Sequence, residues 1–183
     1  MFDKKIQDWL IQNADEWISS QNRRYLSGSR KLNEEEKEIM LRYFDEKTLD
    51  KTRLNTVPII ENPTFYPSLQ EFGVTNLINF NNMAGITFGE CIIFQKDLED
   101  LNHSVLFHEL VHVVQYEILG IRKFAEKYVQ GWINNGLDYY QIPLEVQAYG
   151  LQAEYDKGAN PFSVNNYIKE IIAAVAFCKE NGI

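Results

Sequence analysis

The first third of the chain repeats apolar residues at helical intervals. In residues 4–20, and again in residues 34–46, apolar side chains recur every three or four positions. Asn33 precedes a run of glutamates and has Glu36 three positions after it, which is the pattern of a capping box. These patterns predict two helices, so residues 1–55 form a helical N-terminal part.

The middle of the chain changes to short β-type patterns. Three prolines interrupt residues 56–73, which predicts a loop with one short strand at 57–60. Residues 76–95 are rich in Ile, Phe and Thr, and the pair Gly89 and Glu90 separates two apolar runs, ITF and CIIF. This stretch is therefore predicted to form strands, with a hairpin at the glycine.

The helical period returns at residue 102 and continues almost to the end. Glycine and proline mark the boundaries of four predicted helices, at 102–119, 121–135, 143–157 and 163–179. Helices, then a small sheet, then more helices predict an α+β fold in one domain spanning residues 1–183.

Composition excludes several classes of protein. The formal charge of −8 and the lack of a basic cluster argue against nucleic-acid binding. No apolar run approaches the roughly 20 residues of a membrane span, and the start MFDKKIQDWL lacks the apolar core of a signal peptide. Cys91 and Cys178 are too few for a disulfide framework or a cysteine zinc site. We therefore expect a cytoplasmic protein that does not contact membranes.

A metal-binding pattern lies in the most strongly helical segment, LNHSVLFHELVHVVQYEILG. His108 and His112 are four positions apart, so their imidazoles share one helix face and can reach one ion at about 2.0 to 2.1 Å. Glu109 is turned by about 100° from His108, which suits a base acting on water better than a ligand. The pattern predicts a zinc site with Glu109 as the general base.

The alternative is a zinc-free helical protein in which HELVH arises by chance and both histidines are ordinary core residues. Two of the three histidines in the chain lie in this motif. On a helix otherwise made of Val, Leu and Phe, buried polar groups without partners cost roughly 1 to 3 kcal/mol each. The metal site is therefore the preferred interpretation.

A catalytic zinc ion usually has three protein ligands and a water. The third histidine of the metzincin pattern is absent after His112, which excludes that class. Glu145 lies among apolar neighbours in the first turn of a predicted helix and is the leading candidate, although an acid there also complements the helix dipole. Asp138 and Glu154 are the alternatives, and for both a solvated position is the simpler explanation.

HELVH followed by VVQY, and later PLEVQAY, resembles the gluzincin zinc metallopeptidases, especially small bacterial proteins of the minigluzincin kind. The resemblance covers roughly residues 84–155 and implies that they form the metal-binding core of a zincin-like fold. It implies that Zn²⁺ is bound by His108, His112 and Glu145. The segment AGITFGECIIF resembles the edge strand that borders the cleft and pairs with an extended substrate.

The sequence departs from the gluzincin pattern at Tyr149, where many members carry an acidic residue that orients a ligand histidine. The ring nitrogen of a ligand histidine that does not bind metal nearly always has a partner. The phenol oxygen of Tyr149 or the amide of Gln152 is therefore expected to accept that hydrogen bond.

The expected activity is hydrolysis of a peptide or protein substrate, with Glu109 taking a proton from water and passing it to the leaving amine. Tyr139, Tyr140, Tyr149 and His103 are candidate donors to the oxyanion.

The main alternative function is a non-catalytic zinc module that binds a partner peptide along its edge strand. Phe124, Tyr128 and Trp132 recur at helical spacing and are expected in the core rather than in a substrate pocket.

Overall fold

The protein is mixed α+β with a helical C-terminal half, as the sequence predicts. The computed structural model describes residues 2–95 and 101–181, and side chains up to Ala174. Its helices are α1 (Lys4–Leu26), α2 (Glu34–Met40), α3 (Glu46–Lys51), α4 (Tyr66–Glu71), α5 (His103–Asn134), α6 (Pro143–Asp156) and α7 (Val164–Asn181), and its strands are β1 (Arg53–Thr56), β2 (Gly85–Phe88) and β3 (Cys91–Phe94). Within these ranges, no helix combines the length and apolar character that crossing a membrane requires.

The predicted capping box at the start of α2 is confirmed. Asn33 Oδ1 accepts a hydrogen bond from the backbone N–H of Glu36 at 2.8 Å, and Glu36 Oε2 accepts one from the backbone N–H of Asn33 at 2.7 Å. Both groups therefore satisfy backbone donors that have no partner within the helix.

Three element boundaries in the first half of the chain differ from the prediction. The helix predicted over 34–46 is divided into α2 and α3, because the chain turns at Tyr43 and Phe44 to bury both rings. The strand predicted at 57–60 lies earlier, at β1, and ends before Pro58, which has no N–H to donate to a sheet. The predicted loop contains α4, with Pro67 in its first turn, where a missing N–H costs nothing.

The three strands form one mixed sheet in the order β1, β3, β2. β1 runs parallel to β3, and β2 pairs with β3 as the predicted antiparallel hairpin. Gly85 lies opposite Phe94 and Thr87 opposite Ile92. In the described part of the chain, β2 is therefore an edge strand, as expected for AGITFGECIIF.

The sheet lies between α1 and α5. Alternate strand residues point to opposite faces. One face packs with the first half of α5, and these residues share one apolar cluster: Leu54, Ile92, Phe94, Phe107, Leu110 and Val111. The other face packs with α1, and its cluster includes Leu10, Ile11, Ile18, Phe88, Cys91 and Ile93. The helix that carries HELVH is therefore fixed against the sheet.

Helix α5 is broken at Gly120, close to the predicted boundary between two helices. This residue has φ 72° and ψ 162°, a conformation that side chains other than glycine rarely adopt. Before the break, α5 carries HELVH. After it, α5 carries Phe124, Tyr128 and Trp132 towards α1. The break therefore lets one long segment contribute to the site from two directions.

Candidate metal centre

The structure brings His108, His112 and Glu145 together. The histidines lie one turn apart on α5, and Glu145 lies in the first turn of α6. The two Nε2 atoms are 3.2 Å apart, His108 Nε2 is 3.4 Å from Glu145 Oε2, and His112 Nε2 is 3.5 Å from Glu145 Oε1. All three residues are buried, and they form a group that could bind a metal ion.

The other two candidate ligands do not join this group. Asp138 accepts a hydrogen bond from the backbone N–H of Tyr140 and caps a single 3-10 turn, Tyr139–Gln141. Glu154 forms an exposed ion pair with Lys157. Both acids therefore have the solvated positions that the sequence indicates.

The spacing of the ligand atoms fits a small tetrahedral ion. Ligands that surround zinc tetrahedrally at 2.0 to 2.1 Å lie about 3.3 Å from one another. The two Nε2 atoms, 3.2 Å apart, are close to that value, and each lies 3.4 to 3.5 Å from a different oxygen of Glu145. The two nitrogens therefore have the spacing of neighbouring zinc ligands, with a carboxylate oxygen beside each.

The hydrogen bonds of Gln115 fix the tautomer of His112. The Gln115 side-chain nitrogen donates to the backbone oxygen of Leu144 at 3.0 Å, and that oxygen can only accept. Gln115 Oε1 therefore faces His112 Nδ1, at 2.8 Å, and accepts its proton. The lone pair of His112 is left on Nε2, the atom that points to Glu145.

A second chain of hydrogen bonds fixes His108 in the same way. Ser104 Oγ donates to the Asp156 carboxylate at 3.0 Å and accepts from Gln152 Nε2 at 2.8 Å. Gln152 Oε1 is then turned towards His108 Nδ1, at 3.0 Å. Gln152 is thus the expected acceptor. Tyr149 instead packs its ring against His108, with centroids 4.5 Å apart.

These tautomers direct two lone pairs and a carboxylate into one buried space, which favours a cation there. Without a metal, that cation is a proton: burial alone would lower the pKa of His112, but Glu145 raises it to about 9. Burial alone would raise the pKa of Glu145, but His112 and His108 hold it far below its ordinary value. A metal ion that binds here must displace that proton.

Two tyrosines hold the carboxylate of Glu145. Tyr128 OH donates to Oε1 and Tyr139 OH donates to Oε2, each at 2.8 Å. Burial, with the nearby carboxylate, raises the pKa of both phenols far above the usual value, so both remain donors. The sequence prediction treated Tyr128 as a core residue only. Its ring does pack with Phe124, but its hydroxyl belongs to the metal centre.

Glu109 lies beside the group and is not part of it. Its side chain packs against β2, and its Oε2 atom accepts a hydrogen bond from Thr87 Oγ1 at 2.7 Å. Glu109 is also one of the residues that line a cleft of about 650 Å³. The carboxylate therefore has one oxygen bound to the edge strand and lies beside the cleft.

The cleft passes over His108 and Glu109 between two walls. One wall is formed by residues from 76–79 and 82–85, and the other by residues 137–140 with Tyr149. Three of the four candidate oxyanion donors, Tyr139, Tyr140 and Tyr149, therefore face the cleft. His103, the first residue of α5, is not among the described lining residues.

A smaller apolar cavity of about 80 Å³ extends from the metal centre towards α1. Its walls include Trp17, Phe80, Phe124 and Tyr128, so the last two residues line a pocket as well as the core. The prediction that they are core residues alone is therefore incomplete.

Only the beginning of β2 is accessible from the cleft. Gln95 N donates to Ala84 O at 3.0 Å, so the alternation of the antiparallel ladder directs the backbone groups of Gly85 and Thr87 away from β3. Gly85 lines the cleft, whereas Thr87 and Phe88 are 5% and 2% exposed. A peptide in the cleft would therefore meet the strand at Ala84 and Gly85.

Comparison with known proteins adds no relative. No protein-family model matches the chain, and neither the curated proteins nor the solved structures show a significant similarity to it.

Proposed function

We propose that the protein is a zinc-dependent hydrolase, and specifically a metallopeptidase with a gluzincin-like ligand set on a zincin-like fold. The observation that carries this proposal is the buried group of His108, His112 and Glu145, whose candidate ligand atoms lie within 4.8 Å of one another, with Glu109 beside it among the residues that line the cleft. A purely structural zinc site has no need of that fourth, acidic side chain, whereas hydrolysis needs a base there.

The bound zinc ion would supply a Lewis acid that polarises the scissile carbonyl and lowers the pKa of a water molecule. The protein side chains do the remaining work. Glu109 takes the proton of the attacking water and transfers it to the leaving nitrogen. Gln115 and Gln152 keep the imidazoles in the tautomer that binds metal, and Tyr128 and Tyr139 hold Glu145 in place.

Tyr149 is the proposed donor to the carbonyl oxygen as it gains negative charge. Tyr139 already donates its proton to Glu145. Tyr149 is 39% exposed, lines the cleft and lies against the ring of His108. Its hydroxyl is therefore available to a substrate bound above His108.

The test is to measure zinc and peptidase activity in the same preparations. The wild type should bind about one zinc ion per chain and cleave unfolded proteins or a peptide library. Glu109→Gln should keep the zinc and lose roughly a hundredfold to ten-thousandfold in turnover. Glu126→Gln, an exposed acid on the same helix, is the matched control and should behave as the wild type. Equal activity in Glu109→Gln would refute the mechanism.

A non-catalytic zinc module is the second candidate, because the start of β2 offers unpaired backbone groups to a peptide. This function predicts that zinc-loaded wild type and Glu109→Gln bind peptides equally and that neither cleaves them. Isothermal titration with the inactive variant, followed by mass spectrometry of the peptides after incubation with the wild type, separates the two functions.

A further inference from the structure

We propose that Thr87 is a positioning residue for Glu109: its hydroxyl holds one carboxylate oxygen and thereby leaves the other for the proton of the attacking water. The catalytic part of this inference rests on the proposed hydrolase function, whereas the contact between strand and base can be measured without turnover.

The contact between the two side chains is short and buried. Thr87 Oγ1 lies 2.7 Å from Glu109 Oε2 and 3.1 Å from the backbone oxygen of Glu109. A hydroxyl has one proton, and the shorter, charge-assisted bond to the carboxylate is the stronger. Both residues are 5% exposed, so water competes little for this bond. Thr87 is therefore well placed to fix the orientation of the base.

Gly85 completes the surface on which Glu109 rests. Gly85 and Thr87 are two positions apart, so they present the same face of β2 to α5. A Cβ atom at Gly85 would lie 3.0 Å from Glu109 Oε1, 3.1 Å from Cγ and 3.2 Å from Cδ. The side chain of Glu109 thus lies directly on the backbone of the strand, and any larger residue at position 85 would force it to shift.

The two oxygens of Glu109 consequently have different roles. Oε2 is bound to Thr87, whereas no described side chain donates a hydrogen bond to Oε1. In the described chain, Trp132 Nε1 is the one fully enclosed side-chain polar atom without a partner, so Oε1 is not fully enclosed, and Glu109 lines both the cleft and the smaller cavity beside it. Oε1 is therefore the oxygen that takes the proton, and Thr87 prevents the carboxylate from turning away.

The first experiment measures the contact through stability. Urea unfolding of zinc-loaded wild type, Thr87→Val, Glu109→Met and the double variant forms a double-mutant cycle, because methionine has a similar shape but no oxygen to accept the hydroxyl. If the hydroxyl binds the carboxylate, the shift in the unfolding midpoint for the double variant will differ from the sum of the single shifts. Thr56→Val on β1, whose hydroxyl bonds to no described group, is the matched control and should give an additive cycle with Glu109→Met. Additive shifts for Thr87 would overturn the proposal.

The second experiment separates a positioning role from a merely structural one. Thr87→Val should lower kcat about tenfold to a hundredfold with unchanged KM and zinc content, because a displaced base impairs the chemical step. Thr87→Ser keeps the hydroxyl and should restore most of kcat. Gly85→Ala should also lower kcat, because the added methyl group displaces Oε1. A Thr87→Val enzyme with wild-type kcat would overturn the positioning role.

The two experiments also separate failure of this inference from failure of the proposed function. If zinc-loaded wild type cleaves no peptide, the hydrolase proposal fails. The unfolding cycle still decides whether β2 holds Glu109, because it requires no substrate.

Discussion

One side of α5 packs into the apolar core, and the other carries the candidate ligands His108 and His112 next to Glu145 of α6. Both sides are almost completely buried. Phe107, Leu110 and Val111 on the first side are inaccessible to solvent, and so is Gln115 on the second. The first side is held by apolar packing, which acts in any state of the site. The second is held by directed hydrogen bonds around His108, His112 and Glu145, whose candidate ligand atoms together favour a bound cation. The two sides are therefore equally buried, but only the stability of the polar side depends on a bound cation.

The largest effect is expected on the apolar side, where Phe107→Ala should cost roughly 3 to 5 kcal/mol of unfolding free energy. Phe107 is fully buried and packs against the rings of Tyr43, Phe44 and Tyr155. Because this packing does not involve the metal centre, the loss should be the same with zinc and with a chelator. Urea unfolding under both conditions measures it, and a loss confined to one condition would contradict the separation of the two sides.

On the polar side, zinc should stabilise the wild type by about 4 kcal/mol when its concentration is a thousandfold above Kd. Glu145→Ala should lose most of that gain, because it removes one of three ligands. Glu154→Ala, on the same helix but paired with exposed Lys157, is the matched control. Thermal unfolding of the three proteins with and without zinc gives the comparison. A full zinc effect in Glu145→Ala would exclude this residue as a ligand.

The metal-free protein should lose up to about 3 kcal/mol of stability as the pH rises from 6.5 to 9. In the folded state, the pKa of His112 is raised from 6.5 to about 9. Protonation of His112 therefore stabilises the fold fully below pH 6.5, and this contribution is lost as the pH rises through the folded value.

Glu145 has the opposite dependence in the same protein. Its folded pKa is lowered from an ordinary 4.5, so its contribution is present above pH 4.5 and is lost at more acid pH. Chelated protein should thus be most stable between about pH 4.5 and 6.5. Midpoints of urea unfolding, measured from below pH 4.5 to pH 9, test both the acid and the alkaline loss of stability. The loss of stability at alkaline pH should disappear when zinc replaces the proton of His112. If the loss persists with zinc bound, groups other than His112 cause it.

The smallest effect is expected from Gln115→Leu, which should weaken zinc binding about tenfold to a hundredfold. The substitution removes the acceptor of the His112 Nδ1 proton and with it the preference for the metal-binding tautomer. Gln130→Leu, which removes only a surface hydrogen bond to Glu126, is the control. Competition with a chromophoric chelator measures the affinity, and unchanged binding would show that Gln115 does not fix the tautomer.

Features that depend on neighbouring positions could be predicted from sequence. The helical period, the capping box at Asn33 and the hairpin at Gly89 are each encoded within a few residues. The alignment of His108 with His112 follows from one turn of helix. In contrast, the division between α2 and α3 depends on the burial of Tyr43 and Phe44 among distant residues, which no local pattern reveals.

The residues of the candidate site likewise divide into those that local sequence predicts and those that only the folded chain reveals. Glu145 was the leading candidate from its apolar neighbours in the first turn of a helix, and the resemblance to gluzincins supported it, whereas Gln152 was one of two expected acceptors for a ligand histidine. Gln115 could have been found, because it lies three positions after His112 on the same helix face. Thr87 and Tyr128 could not, since their contacts with Glu109 and Glu145 join segments that meet only in the folded chain.

The break at Gly120 also divides the assembly of the site in time. His108 and His112 face the same way as soon as the first half of α5 is helical. Glu145 joins them only after α5 has turned at Gly120 and the Tyr139–Gln141 turn has brought α6 back. An ion bound before α6 docks would have only the two histidine ligands, and Glu145 would complete the set when α6 packs against α5. Under the proposed function, the affinity for metal therefore depends on the packing of the C-terminal half.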